Sequence, residues 1–184
     1  MSDIASAAGV SRATLHRRFR SREALIQAIA QTALTYLRAI TDGICDEGLT
    51  GRAALERILE QGVILAPRFS FLASESCVRD DGPLNEAIQQ TFDVWAGWCE
   101  EGQRRGELRV DLPARWIVAA VDAMVLAVSD GVRTGVIAPR DALRLLRLTL
   151  FDGVVPSPPS PPASPVVFPP VVASSTSASS RNLL

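Results

Sequence analysis

The sequence predicts an all-α protein: a short helical head, a longer helical body, and a disordered Pro/Ser-rich C-terminal tail. Three observations predict it. From Ser2 to Phe151 apolar residues recur at three- and four-residue spacing, with Leu and Ala dominating. Alternating β-branched runs bounded by turns, the mark of strands, are missing. Helix-breaking punctuation at Gly9, Asp42-Gly43, Gly48 to Gly51, Asp81-Gly82-Pro83, Gly106, Pro113 and Ala138-Pro139 cuts the chain into helix-sized pieces.

Taken in order, helices are expected at about 2–8, 11–19, 21–41, 51–65, 69–79, 83–104, 113–134 and 139–152. Ser2, Ser11 and Ser21 are placed to act as N-caps, and Pro83, Pro113 and Pro139 sit where a first-turn proline is tolerated. In the 21–41 helix Leu25, Ile29, Ala33, Tyr36 and Ile40 form one apolar stripe; in the 83–104 helix Leu84, Ile88, Thr91, Trp95 and Trp98 form another. The 113–134 helix is apolar around its circumference from Trp116 to Val128 except at Asp122, so it needs cover on every side, from its own domain and from a second subunit. Arg140, Arg144 and Arg147 line one face of the last helix and read as a solvated surface. Beyond Asp152 the composition changes. Residues 155–184 hold eight Pro and eight Ser with Arg181 as the only charge, too little apolar content for a core. The expected domains are therefore 1–40, 41–153 and 154–184.

Composition removes several function classes. No apolar run approaches the roughly 20 residues that span a bilayer, and the first ten residues lack a signal-peptide pattern, so the expected location is the cytoplasm without membrane attachment. Cys45, Cys77 and Cys99 are widely spaced and the chain has one His, which argues for buried thiols rather than a disulfide framework or a metal site. No cofactor is implied. Every basic side chain is Arg, so Schiff-base chemistry and a phosphate-loop lysine are out. No enzyme is expected: there is no Gly-rich phosphate loop and no nucleophile beside a base, and Cys99 next to Glu100 and Glu101 has an acidic setting that raises a thiol pKa.

The net charge of −1 hides an asymmetry. Residues 1–38 carry Arg12, Arg17, Arg18, Arg20, Arg22 and Arg38 against Asp3 and Glu23, a charge of +4; the rest of the chain carries −5. A basic head on an acidic body points to a polyanionic partner for the head. Within that head, an Ala-rich segment ends at Gly9, which suits a tight turn, and a second helix begins at Ser11. Ala5 and Ala8 permit close helix approach, and Ile4, Val10, Leu15 and Phe19 supply the apolar faces. This is helix-turn-helix spacing, in which the second helix enters the major groove. Arg12 and Arg17 can reach a guanine edge, Ala13 and the Thr14 methyl can meet a thymine methyl, and the hydroxyls of Ser11 and Thr14 can hold phosphates.

The run Ile4-Ala5-Ser6-Ala7-Ala8-Gly9-Val10-Ser11-Arg12-Ala13-Thr14-Leu15-His16-Arg17-Arg18-Phe19, followed by Ser21-Arg22-Glu23-Ala24-Leu25, resembles the TetR family of bacterial transcriptional regulators. The resemblance covers residues 3 to about 27. It implies base contacts at Arg12, Ala13 and Arg17, and phosphate contacts at Thr14, His16, Arg18 and Arg22. His16 stands where the family has Tyr, and Arg22 where it has Lys. It also implies one more helix ahead of Ser2, so the sequence reads as N-terminally truncated, with Ile4, Leu15, Phe19 and Leu25 partly uncovered.

For the body, the resemblance implies a small-molecule effector that shifts the spacing of two DNA-reading heads. Phe92, Trp95, Trp98 and Met124 are candidate pocket walls and Asp122 a candidate polar anchor, with ordinary core packing as the alternative; Asp122 could equally pair with Arg115 or Arg133. The helices at 113–134 and 139–152 are the expected homodimer interface. The function expected is a ligand-responsive repressor that binds a palindromic operator as a homodimer; the alternative is a helical dimerisation or ligand-binding module that has lost DNA binding.

Overall fold

The computed structural model describes residues 1–154. Beyond Val154 the expected Pro/Ser-rich tail lies outside the described residues. Among the described residues every regular element is helical. α1 (Ser2–Ala7) and α2 (Arg12–Arg18) make the head, and α3 (Arg22–Asp46) runs from the head into the body. There follow α4 (Gly51–Phe69), a 3-10 turn at Ser70–Ser74, α5 (Ser76–Arg79), α6 (Gly82–Arg104), α7 (Ala114–Arg133), a second 3-10 turn at Pro139–Asp141, and α8 (Ala142–Val154). Residue 40, placed at a domain boundary by the sequence, falls inside the continuous α3.

Side-chain caps start the helices where the sequence carries them. The Ser11 Oγ accepts from the Thr14 N–H at 3.0 Å, the Ser21 Oγ from Ala24 N–H at 3.1 Å, and Asp81 Oδ1 from Leu84 N–H at 3.1 Å. Ser2 does not cap. It is the first helical residue of α1, with Met1 in the cap position and no side-chain bond there. Pro113 likewise stands one residue earlier than expected, at the N-cap of α7.

Two apolar clusters hold the molecule. The larger joins Ile44 of α3, Leu55 and Leu59 of α4, Trp95 and Cys99 of α6, Ile117 and Val121 of α7, and Leu146 and Leu150 of α8. Burial of each such large side chain contributes about 1.5–3 kcal/mol. The smaller cluster sits where the head meets the body: Ile26, Ala30 and Leu34 of α3 against Leu72, Val78 and Leu84. At one crossing α4 and α6 approach backbone to backbone. A Cβ on Gly102 would lie 2.6 Å from the Gly51 Cα, so only glycine fits.

Several sequence expectations need correction. α3 does not stop at 41; it passes Asp42-Gly43 to Asp46, because Thr41 and Ile44 are buried and packing outweighs the cost of about 1 kcal/mol for a helical glycine. The buried line of α3 is Ile26, Ala30, Leu34, Thr41 and Ile44, one position round from the expected stripe. Tyr36 is instead 42% exposed and meets the Phe69 ring at a tilt of 42°, centroids 5.8 Å apart. The single helix expected at 69–79 is broken at Glu75, whose backbone is extended (φ −83°, ψ 121°) between the first 3-10 turn and α5. Arg147 is not merely solvated, since it reaches Glu56 and Glu60 of α4 at 3.6 and 3.5 Å. Of the three thiols only Cys99 is buried; Cys45 is exposed and Cys77 half-buried.

Candidate nucleic-acid interface

The turn between α1 and α2 is built by its backbone. Gly9 takes φ +65°, the Val10 N–H donates to the Ala5 carbonyl at 3.0 Å, and the Gly9 N–H donates to Ser6 at 3.2 Å. This pairing closes the end of α1 and turns the chain sharply into α2. Ala5 and Leu15 are buried between the two helices. Contrary to expectation, Leu15 is covered, while Ile4 is 37% exposed, and Phe19 and Leu25 are half-buried.

With Leu15 turned inward, α2 presents Arg12, Ala13, Thr14, His16, Arg17 and Arg18 to solvent. Seven residues of helix extend roughly 10 Å, short enough to lie within a major groove about 12 Å wide. Ser11 and Thr14 are bound to each other through the cap, Oγ to Oγ1 at 2.8 Å, so the hydroxyl pair also fixes the first turn of the exposed helix. Among the described residues none of Arg12, Arg17, Arg18 and Arg20 forms an ion pair. Four guanidinium groups at one end of the molecule therefore keep their full field for an anionic partner.

Arg22 behaves differently. Its Nη1 and Nη2 donate to Glu75 Oε2 and Oε1 at 2.9 and 2.7 Å, a two-point pair that reaches from the head to the body. The guanidinium holds the Glu75 carboxyl below its usual range and is itself raised by the same bonds. Sequence reasoning missed Glu75. The two residues lie 53 positions apart, and no local spacing links them.

The head is similar to that of a known regulator family. A model described as "Bacterial regulatory proteins, tetR family" matches residues 1–29, covering α1, the Gly9 turn, α2 and the start of α3. The match is confined to this head, about one sixth of the chain. Likeness to individual proteins extends through the body. The chain is 25% identical over 155 residues to the HTH-type transcriptional regulator NfxB of Pseudomonas aeruginosa, covering 83% of each chain. It also superposes, with a TM-score of 0.58 and 23% identity, on the crystal structure of a Rhodococcus protein assigned to the TetR family, covering 83% of this chain and 86% of that one. At that identity the likeness speaks to fold alone, and it places the all-helical body of this chain in the same architecture.

The body candidates separate. Phe92 and Asp122 line one groove of about 190 Å³ between α6 and α7, together with Gln89, Asp93, Arg115 and Val118. Trp95, Trp98 and Met124 are not among its walls. Trp95 belongs to the core, where its Nε1 donates to the Thr41 Oγ1 at 2.9 Å, and Trp98 and Met124 pack half-buried against the same core. Asp122 pairs with neither arginine suggested by the sequence: Arg115 holds Asp93 at 2.5 Å and Arg133 holds Asp130 at 2.6 Å. Asp122 keeps an open edge to solvent, yet the walls around its carboxyl strip enough water to push its pKa up. A second cavity, about 80 Å³ and apolar apart from Ser129, lies between α4 and α7. No sequence signal marked it, because its lining comes from residues far apart in the chain.

Among the described residues no helix is long and apolar enough to cross a membrane, and no group of His, Cys, Asp and Glu is placed to hold a metal ion.

Proposed function

We propose that this chain is a TetR-family regulator, a ligand-responsive repressor that binds a palindromic operator as a homodimer in the cytoplasm. The observation that carries the reading is α2 itself: a capped helix after a tight turn, with Arg12, Ala13 and Arg17 facing outward and its arginines without an ion pair among the described residues. Arg12 and Arg17 read guanine edges, Ala13 meets a thymine methyl, and Ser11, Thr14, His16, Arg18 and Arg22 hold phosphates. Two such heads are needed for a palindrome.

Support for the homodimer comes from the outer faces of α7 and α8. Trp116 is 62% exposed and Leu148 48%, and Ala119, Ala123 and Ala127 lie open along the same helix as Trp116. An apolar, small-residue face of this kind suits a four-helix bundle with a second copy. The groove at Phe92 and Asp122 lies beside that face, and a small-molecule effector held there shifts the spacing of the heads by binding one arrangement better than the other.

Selection of bound duplex from a random pool tests the reading. Inverted half-sites about 10 base pairs apart, with Arg17→Ala relaxing the preference at one position in each, are the expected result. A second reading, a helical dimerisation or ligand-binding module without DNA binding, draws on Ile4 and Val10, exposed at 37% and 41% on the head. Failure to enrich any duplex at low salt selects it.

A further inference from the structure

We propose that Glu75 competes with DNA phosphate for Arg22, so that the body restrains the head until this ion pair opens. The inference rests on the DNA-binding reading above and adds a regulatory contact to it. Arg22 opens α3 three residues after Phe19, next to the outward-facing α2, yet both of its terminal nitrogens are taken by the two Glu75 oxygens at 2.9 and 2.7 Å. A phosphate is recognised through that same planar fork. The fork cannot serve both partners at once.

The carboxylate is the fixed partner and the guanidinium the movable one. Glu75 sits at the bend between the first 3-10 turn and α5; its N–H donates to the Leu72 carbonyl at 3.1 Å and its carbonyl accepts from the Val78 and Arg79 N–H groups at 3.2 Å. Leu72 and Val78 anchor that bend in the smaller core cluster, against Ile26, Ala30 and Leu34. The Glu75 side chain is only 18% exposed, whereas that of Arg22 is 53% exposed. The far end of the same segment reaches α7, where the Ser129 Oγ donates to the Ser70 Oγ at 3.4 Å. The carboxylate that holds Arg22 is thus part of a segment that touches both the head and the body. A half-exposed ion pair is weak in water, and a duplex with its dense row of phosphates can displace it.

The test measures binding of the full chain to a labelled random-sequence duplex of about 30 base pairs across a salt series. Four proteins are compared: the parent, Glu75→Gln, Arg22→Ala and the double variant. The expected result for Glu75→Gln is binding about 3–10-fold tighter, with a log–log salt slope steeper by about 1, the mark of one added phosphate contact. Arg22→Ala and the double variant then bind alike. Glu75→Ala, checked for helix content by circular dichroism, repeats the comparison should the glutamine retain a bond to Arg22. Three outcomes overturn the proposal: no gain on removing the carboxylate, weaker binding, or the same gain in the Arg22→Ala background, which would make it a general charge effect. Absence of binding by both the parent and Glu75→Gln instead overturns the DNA-binding reading on which the proposal stands.

Discussion

Replacing Thr41 with Val tests whether the indole of Trp95 is a strut between α3 and α6. Thr41 is 8% exposed and Trp95 5%, and the Trp95 Nε1–H donates to the Thr41 Oγ1, which in turn donates to the Leu37 carbonyl at 3.0 Å. Valine keeps the shape and removes the acceptor, leaving a buried indole N–H unpaired at a cost of about 1–3 kcal/mol. The added methyl returns up to about 0.8 kcal/mol through apolar burial, so the net loss is about 1–2 kcal/mol. For a chain of this size that lowers Tm by about 2–8 °C. Urea unfolding should show the midpoint falling with the slope unchanged. Trp95→Phe alone and the double variant complete a cycle, in which a coupling energy of about 0.5–1.5 kcal/mol is expected for the hydrogen bond. A Thr41→Val chain as stable as the parent, or a cycle additive to within about 0.3 kcal/mol, would refute the strut. The result bears on function because α3 carries the head, and the Thr41 bond is one of the contacts that set its register against the body.

Three further outcomes follow from the same contacts. Because burial raises the Asp122 pKa above its ordinary 3.8, folding favours the protonated acid; stability therefore falls as pH rises through the window above 3.8 and stays lowered at neutral pH. Asp122→Asn should thus be the more stable chain at pH 7, with the advantage vanishing in urea titrations run below that window, and an advantage that persists there would contradict the desolvation argument. Gly102→Ala forces a Cβ to within 2.6 Å of the Gly51 Cα and should cost about 1–3 kcal/mol in a thermal melt. Burial, with a smaller push from Glu100, drives the Cys99 thiol up to about 12, so a thiol reagent should label the exposed Cys45 in the native protein and reach Cys99 only after denaturation.

Much of α2 was legible in the sequence because its determinants are local. Gly9 supplies positive φ, Ser11 caps α2, and the outward positions follow from helical periodicity once Leu15 is inside. The interior of α6 was equally legible, since Leu84, Thr91 and Trp95 recur on one face and are buried there. The stripe of α3 was not. Its apolar residues occupy two adjacent lines, so its burial is decided by the neighbours α4, α5 and α6 rather than by period alone. The groove walls are not legible for the same reason: an aromatic stripe looks identical whether it lines a cavity or fills a core, and the Thr41 hydroxyl that receives the Trp95 indole lies 54 residues away.

The sequence alone determined the all-helical class, the basic head with its exposed arginines, and the residues that α2 turns to solvent. These are properties of spacing, capping and charge, which act within a few residues. Only the tertiary structure decided that Asp122 and Phe92 share a groove, that Trp95 is a bonded core residue, and that Arg22 is held by Glu75 while the other head arginines have no ion pair among the described residues. Those outcomes depend on which distant side chains packing brings within about 3 Å, a distance over which hydrogen bonds act and which sequence separation does not encode.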